Sequence, residues 1–187
     1  GASIDAYGEP FSDKLKEKIE NCDAILMGSV GGPKWDNAKI RPEAGLLALR
    51  KYLKVYANVR PLKVEDSLCY LSPLKEEIVK GTDLMIVREL TGGAYFGEPR
   101  RLEEKSALDS ITYSYEEIEQ IVRYAFETAR KRRKKLTSVD KANVLATSKL
   151  WRKVVEDVAK DYEDVELEHM YVDAMAMALI TNPTKYD

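Results

Sequence analysis

The chain has 187 residues, 44% of them apolar and 33% charged, enough to bury a core in one domain or in one domain and part of a second. Its 30 basic and 32 acidic side chains leave a formal charge of −2, which supplies no global pull toward nucleic acid or an anionic membrane. No run nears the roughly 18 apolar residues of a membrane span, and GASIDAYGEP has neither the basic nor the apolar region of a signal peptide, so a cytoplasmic protein with no membrane partner is expected.

Asp13 to Glu20 reads as a helix, with Ser12 as its N-cap and Phe11, Leu15 and Ile19 on one face. The apolar run Ala24 to Met27 reads as a strand. It leads into the glycine-bearing loop Gly28-Ser-Val-Gly-Gly-Pro33, which a helix does not cross easily. In Arg41-Pro-Glu-Ala-Gly-Leu-Leu-Ala-Leu-Arg50, a proline and an acid at the front and an arginine at the back predict a short helix.

Val55 to Val64 has strand character broken by Pro61. Ser72-Pro73 reads as the cap and first residue of a helix that Gly81 closes, and Asp83 to Glu89 as a strand. The segment Thr91 to Arg100 and the dozen polar residues after it show no period and predict an extended arm or long loop, of the kind used for function or association.

The clearest helix starts at Ser114. Glu117 completes a capping box there, and Ile118, Ile121, Val122, Ala125, Phe126 and Ala129 share one face. Further on, Leu136 to Asp140 reads as a strand and Leu150 to Ala159 as a helix burying Trp151, Val154, Val155 and Val158. Val165 to Met170 is a strand and Asp173 to Ile180 a short helix. The alternation predicts an α/β architecture, a mixed sheet flanked by helices. Residues 1–55 carry too little apolar surface for an independent domain. They are expected to be an incomplete part of a first domain, with 56–187 forming a second.

Arg50, Arg60 and Arg88 lie at the ends or within predicted elements, and guanidinium forks bind carboxylates in bidentate fashion, so together they would suit a dicarboxylic acid. The alternative is that each pairs with a surface acid. Tyr95, in a glycine-flanked segment, and Lys141, after a strand, could divide acid and base duties. Asp173 could equally charge the start of the last helix. Neither His169, the single histidine, nor Cys22 and Cys69 belongs to a nucleophile or metal-ligand motif. The loop at Gly28 lacks the spacing of a dinucleotide fingerprint. The basic run Arg130 to Lys135 ends a helix, where cations complement the macrodipole, and this reading is preferred to a nucleic-acid patch.

The segments Gly28-Ser-Val-Gly-Gly-Pro-Lys-Trp35, Arg41 to Arg50, Asn58-Val-Arg-Pro61, Leu71-Ser-Pro-Leu-Lys75, Val87-Arg-Glu-Leu-Thr-Gly-Gly93, Tyr95-Phe-Gly-Glu-Pro-Arg100, Ser138-Val-Asp-Lys-Ala-Asn-Val144 and Tyr171-Val-Asp-Ala-Met175 together resemble the β-decarboxylating dehydrogenases, and among them the 3-isopropylmalate dehydrogenase family of leucine biosynthesis. The resemblance covers essentially the whole chain. It implies that Arg50, Arg60 and Arg88 hold the malate carboxylates, reversing the surface-acid alternative. It further implies that Tyr95 and Lys141 are the acid–base pair, that Leu46, Leu47 and Val144 form an apolar pocket for the isopropyl group, and that Glu43 lies near the nicotinamide ribose of NAD. Asp173 would be one ligand of a Mg²⁺ or Mn²⁺ ion.

In that family the residues matching Lys141 and Asp173 reach the active site from a partner subunit, which implies a homodimer whose interface includes the arm after Gly93 and the later helices. The family's first strand and helix, two further metal-binding aspartates and most of the NAD loop have no counterpart here. The chain is therefore expected to be a central piece that binds NAD and metal poorly alone. An inert dimerising fragment is the alternative of another class, and isocitrate, homoisocitrate or tartrate are the alternative substrates.

Overall fold

A computed structural model describes all residues 1–187. They fall into two compact units, Gly1–Val55 and Tyr56–Asp187.

The first unit contains three α-helices, α1 (Ala2–Tyr7), α2 (Asp13–Glu20) and α3 (Pro42–Leu53). Helix α2 has the bounds that its spacing predicts. Ser12 does stand at its N-cap, but the hydroxyl is buried and makes no cap hydrogen bond. Helix α3 starts on Pro42, whose missing N–H costs nothing in a first turn. Glu43 in that turn and Arg50 and Lys51 in the last complement the macrodipole. Phe11, Ile19 and Leu49 form the small core, with Ala48 packed against it. Gly45 permits that packing, because a Cβ there would come within 2.6 Å of the Pro10 carbonyl oxygen.

The strand expected over Ala24 to Met27 is not formed. The segment has no regular structure, and Ile25, Leu26 and Met27 are all exposed. Its β propensity is overridden because the first unit contains no strand to take its backbone N–H and C=O groups.

In the second unit, β1 (Ala57–Lys63) and β2 (Asp83–Glu89) pair antiparallel, with Asn58 opposite Arg88, Arg60 opposite Ile86 and Pro61 opposite Met85. Pro61 is tolerated because β1 has a free edge in this two-stranded ladder. Between the strands, the helix expected from Ser72-Pro73 begins only after Lys75, as the single turn α4 (Glu76–Val79). The Ser72 hydroxyl instead accepts from the Leu74 N–H at 3.0 Å, a local turn that competes with helix. Gly81, at φ +79°, closes the segment as its position predicts.

The stretch expected as an arm contains a small antiparallel hairpin, β3 (Arg101–Leu102) with β4 (Ala107–Leu108), all four residues exposed. Helix α5 (Tyr115–Arg130) follows with the predicted capping box. The Glu117 N–H donates to Ser114 Oγ at 3.2 Å, and the Ser114 N–H to the Glu117 carboxylate at 2.8 Å. Then come β5 (Lys135–Asp140), α6 (Ala146–Ala159) and β6 (Glu166–Tyr171), a unit in which β6 runs parallel to β5. The chain ends in α7 (Val172–Thr181) and a short turn.

The α/β class is as expected, although the strands form three two-stranded ladders rather than one continuous sheet. The core lies between α5 and α6, where Ile118, Ile121, Val122, Phe126, Val154, Val155 and Val158 are buried and Phe126 stacks on Tyr162 at 4.7 Å. A cavity of about 300 Å³ separates β2 from β5, lined by Leu84, Ile86, Ile121, Leu136 and Val139 among others. Helix α7 differs from its neighbours. None of its residues is buried, and Val172, Met177 and Ile180 are more than half exposed.

Most of the basic run is taken up by acids. Arg130 and Lys134 pair with Asp164, Arg132 with Asp83 and Asp187, Arg133 with Asp187, and Lys135 with Glu166. No helix is long and apolar enough to cross a membrane.

Candidate functional site

The antiparallel register sets the positions of Arg60 and Arg88 in the second unit. Side chains alternate along a strand, and directly paired residues share a face. Asn58 opposes Arg88 and Arg60 opposes Ile86, so Arg60 and Arg88 occupy diagonal positions on one face of the ladder, a separation that long side chains span readily. The Asn58 amide oxygen accepts from Arg60 Nε at 2.5 Å and holds that guanidinium along the strand. Both arginines are exposed. Neither lies within ion-pair distance of an acid, unlike Arg100, Arg132 and Arg152. Two unpaired guanidinium groups on one face make a place for carboxylates.

Arg88 also stacks over the Tyr95 ring, with its guanidinium carbon 5.5 Å from the centroid. Tyr95 ends a short turn, Gly93–Tyr95, that follows β2, and it is 55% exposed. Together Arg88, Glu89, Gly93, Tyr95 and Tyr113 line an open cleft of about 580 Å³ that reaches Asp140 and Trp151. Burial, and then the Glu89 carboxylate, push the Tyr113 phenol above its ordinary value.

Lys141 stands just beyond β5. Its ammonium pairs with the Asp173 carboxylate at the start of α7, and this bond holds Asp173 below the usual carboxylate range. Tyr95 and Lys141 therefore have different partners, Arg88 and Asp173, and the structure brings Lys141 together with Asp173 rather than with Tyr95. The strand end beneath Lys141 is fixed by Asp140, whose side chain is 1% exposed. Asp140 takes both forks of Arg152, each at 3.0 Å, and the Ala142 N–H at 2.8 Å. The Lys141 N–H donates to Ser148 Oγ at 3.1 Å. Val144, on the loop before α6, is 65% exposed.

The remaining expected residues belong to the first unit. Leu46, Leu47 and Arg50 lie along α3 and are half-buried. Glu43 accepts from Arg41 at 3.0 Å, which keeps its carboxyl below the ordinary range. His169 is a half-buried residue of β6. Its imidazole is pushed down by burial and by Arg152, and these outweigh the opposite pull of Glu156 at 3.7 Å.

No group of three or more His, Cys, Asp or Glu side chains is arranged to hold a metal ion. Asp173 is a single carboxylate already committed to Lys141, whereas Mg²⁺ needs several oxygen ligands. The residues of this chain do not by themselves fit a metal, and Glu43 alone does not make a dinucleotide site.

Sequence reasoning passed over Asn58, Glu89, Asp140 and Arg152. The first three were visible as polar residues within two positions of Arg60, Arg88 and Lys141 in the quoted motifs. Arg152 was not, because its role depends on where α6 lies against β5.

The isocitrate/isopropylmalate dehydrogenase family matches residues 1–187. The chain is 58% identical over all of its length to the 3-isopropylmalate dehydrogenase of Listeria innocua, of which it covers 53%. It therefore spans about half the length of the curated relatives it matches. Among solved structures, a protein from Thermus thermophilus superposes with a TM-score of 0.84 at 28% identity, all of this chain covering 37% of it. An isocitrate dehydrogenase from Methylococcus capsulatus gives 0.74 at 28% identity, with 53% covered.

Proposed function

The chain belongs to the isocitrate/isopropylmalate dehydrogenase family, and on that premise we propose that it is the carboxylate-binding and acid–base portion of an NAD-dependent enzyme that oxidatively decarboxylates 3-isopropylmalate in leucine biosynthesis. The observation that carries this reading is the pair Arg60 and Arg88, on one face of the β1–β2 ladder without acidic partners. Arg50 on α3 is assigned the same duty. The substrate and pathway come to the reading from the names of its relatives.

Arg60 and Arg88 bind the malate carboxylates through paired N–H donors and orient the carbon that loses CO₂. The Tyr95 phenol, held beside Arg88, donates the proton to the enolate carbon. In its neutral amine form, released from Asp173, Lys141 receives the proton of the substrate hydroxyl, directly or through a linked base. Val144 and, in the first unit, Leu46 and Leu47 are the residues that the family resemblance assigns to the isopropyl group. An apolar contact of that size is worth about 1–3 kcal/mol, or roughly 10- to 200-fold, against a carboxylate-bearing substrate such as isocitrate. In a whole enzyme of this family NAD, when bound, would accept the hydride and a divalent metal would supply Lewis acidity. Glu43 and Asp173 are the residues assigned to them here, and the remainder of both sites is assigned to other parts of the enzyme.

Lys141 and Asp173 are partnered with each other and not with Tyr95, and α7 presents an uncovered apolar surface. Both facts support a homodimer in which the pair serves the arginines of the neighbouring subunit. The proposed setting is cytoplasmic, with no nucleic acid or membrane as partner.

Binding tests the carboxylate assignment. Titrating 3-isopropylmalate while following the arginine Nε–H resonances should shift Arg60 and Arg88, and Arg88→Ala should weaken binding roughly 10- to 100-fold, as expected for a lost charged hydrogen bond. Undiminished binding by Arg88→Ala would remove Arg88 from the site.

A further inference from the structure

Glu89 is the last residue of β2 and is only 6% exposed, although Asp83 and Arg88 of the same strand lie in the open. A buried carboxylate normally has a cation beside it or has its lone pairs filled by donors. Glu89 is of the second kind. It takes the Thr91 N–H at 2.5 Å, the Gly92 N–H at 2.9 Å and the Thr91 hydroxyl, all from the turn that leads to Tyr95.

The other side of that turn is gripped as firmly. The Gly93 N–H donates to the Thr112 carbonyl at 2.8 Å. A Cβ at Gly92 would come within 2.7 Å of the Tyr113 ring, and one at Gly93 within 2.6 Å of the Tyr113 hydroxyl. Gly93 also has φ +78°, which a side chain would strain. Tyr95 itself is more than half exposed, and its one ring contact is the Arg88 guanidinium. Its position is thus inherited from the turn. The turn is fixed by Glu89, and Glu89 directly follows Arg88.

We infer that Glu89 is the positioning residue of this site: its buried carboxylate folds the Thr91–Gly93 turn back on the end of β2, which places the Tyr95 phenol beside Arg88. Its importance to catalysis rests on the proposed role of Tyr95 as proton donor, but the geometric claim does not. It can be tested without substrate or turnover, so its failure and the failure of the functional reading are separate events.

The test labels Tyr95 with 3-fluorotyrosine and, as a control, Tyr162, which is stacked on Phe126 in the core. Fluorine spectra and amide exchange are then compared in the parent chain, in Glu89→Gln and in Thr91→Val. Glu89→Gln should move or split the Tyr95 resonance and leave that of Tyr162 in place. Exchange at the Thr91 and Gly92 amides should quicken by about ten-fold or more, the scale of a lost hydrogen bond to a charged group, with the amides of Ile118 and Phe126 unaffected. Thr91→Val, which removes one donor and leaves the carboxylate buried, should give a smaller change in the same resonance alone. A Tyr95 resonance that stays put in both variants overturns the inference. So does one that moves in Thr91→Val only together with Tyr162, since that would make the turn part of the general fold and not a support for Tyr95.

Discussion

Lys141 and Asp173 make the most informative contact at the level of single residues. An ammonium within hydrogen-bonding reach of a carboxylate stabilises the ionised acid, so Asp173 titrates below the ordinary value of about 3.9. The sign follows from linkage. A depressed carboxyl favours the folded state above its unfolded pKa, and that contribution is lost as pH falls through the folded value. Replacing Lys141 with Met should therefore move the Asp173 titration up toward the usual carboxylate range, as read from its carboxyl ¹³C shift against pH. An unchanged midpoint would mean that the two groups are not paired in solution. Both residues stood out in the sequence as members of motifs. Their pairing did not, because 32 positions separate them and only the parallel alignment of β5 with β6 sets one near the other.

Among the secondary elements, helix α5 was the most legible, because its capping box and apolar spacing point to the same register. Ser114→Ala should cost about 1 kcal/mol, the usual value of a lost N-cap, seen as a lowered denaturation midpoint with an unchanged slope. A neutral result would indicate that the α5–α6 core alone fixes the helix start. Strand propensity was a poorer guide. Ala24 to Met27 has the composition of a strand and forms none, whereas Val55 to Val64 contains a proline and does contain β1, because β2 is there to pair with it. The difference lies in the neighbour, which the local sequence does not encode. The helix expected at Ser72-Pro73 failed for a local reason, the serine side chain satisfying a turn N–H instead of a helical one.

On the scale of the whole molecule, α7 leaves an apolar side uncovered. Val172, Met177 and Ile180 are each more than half exposed, and surfaces of this kind mark association sites. If α7 lies in a homodimer interface, Ile180→Lys should convert a dimer into a monomer by sedimentation velocity, with the α5–α6 core intact by near-ultraviolet circular dichroism. A parent chain that is already monomeric at micromolar concentration would contradict the dimer reading. The family was legible from the sequence because eight motifs stand in the order the family requires.

The central claim is that these residues bind 3-isopropylmalate and perform its acid–base chemistry. The most direct measurement exchanges residues 1–187 for the matching segment of the longer Listeria innocua relative, to which they are 58% identical, and follows NADH absorbance with 3-isopropylmalate, NAD and Mg²⁺. The account predicts NADH formation from 3-isopropylmalate in preference to isocitrate, with the rate of proton-dependent steps falling roughly 100-fold or more in Lys141→Ala. A folded, dimeric chimera that forms no NADH, or that prefers isocitrate, would contradict it.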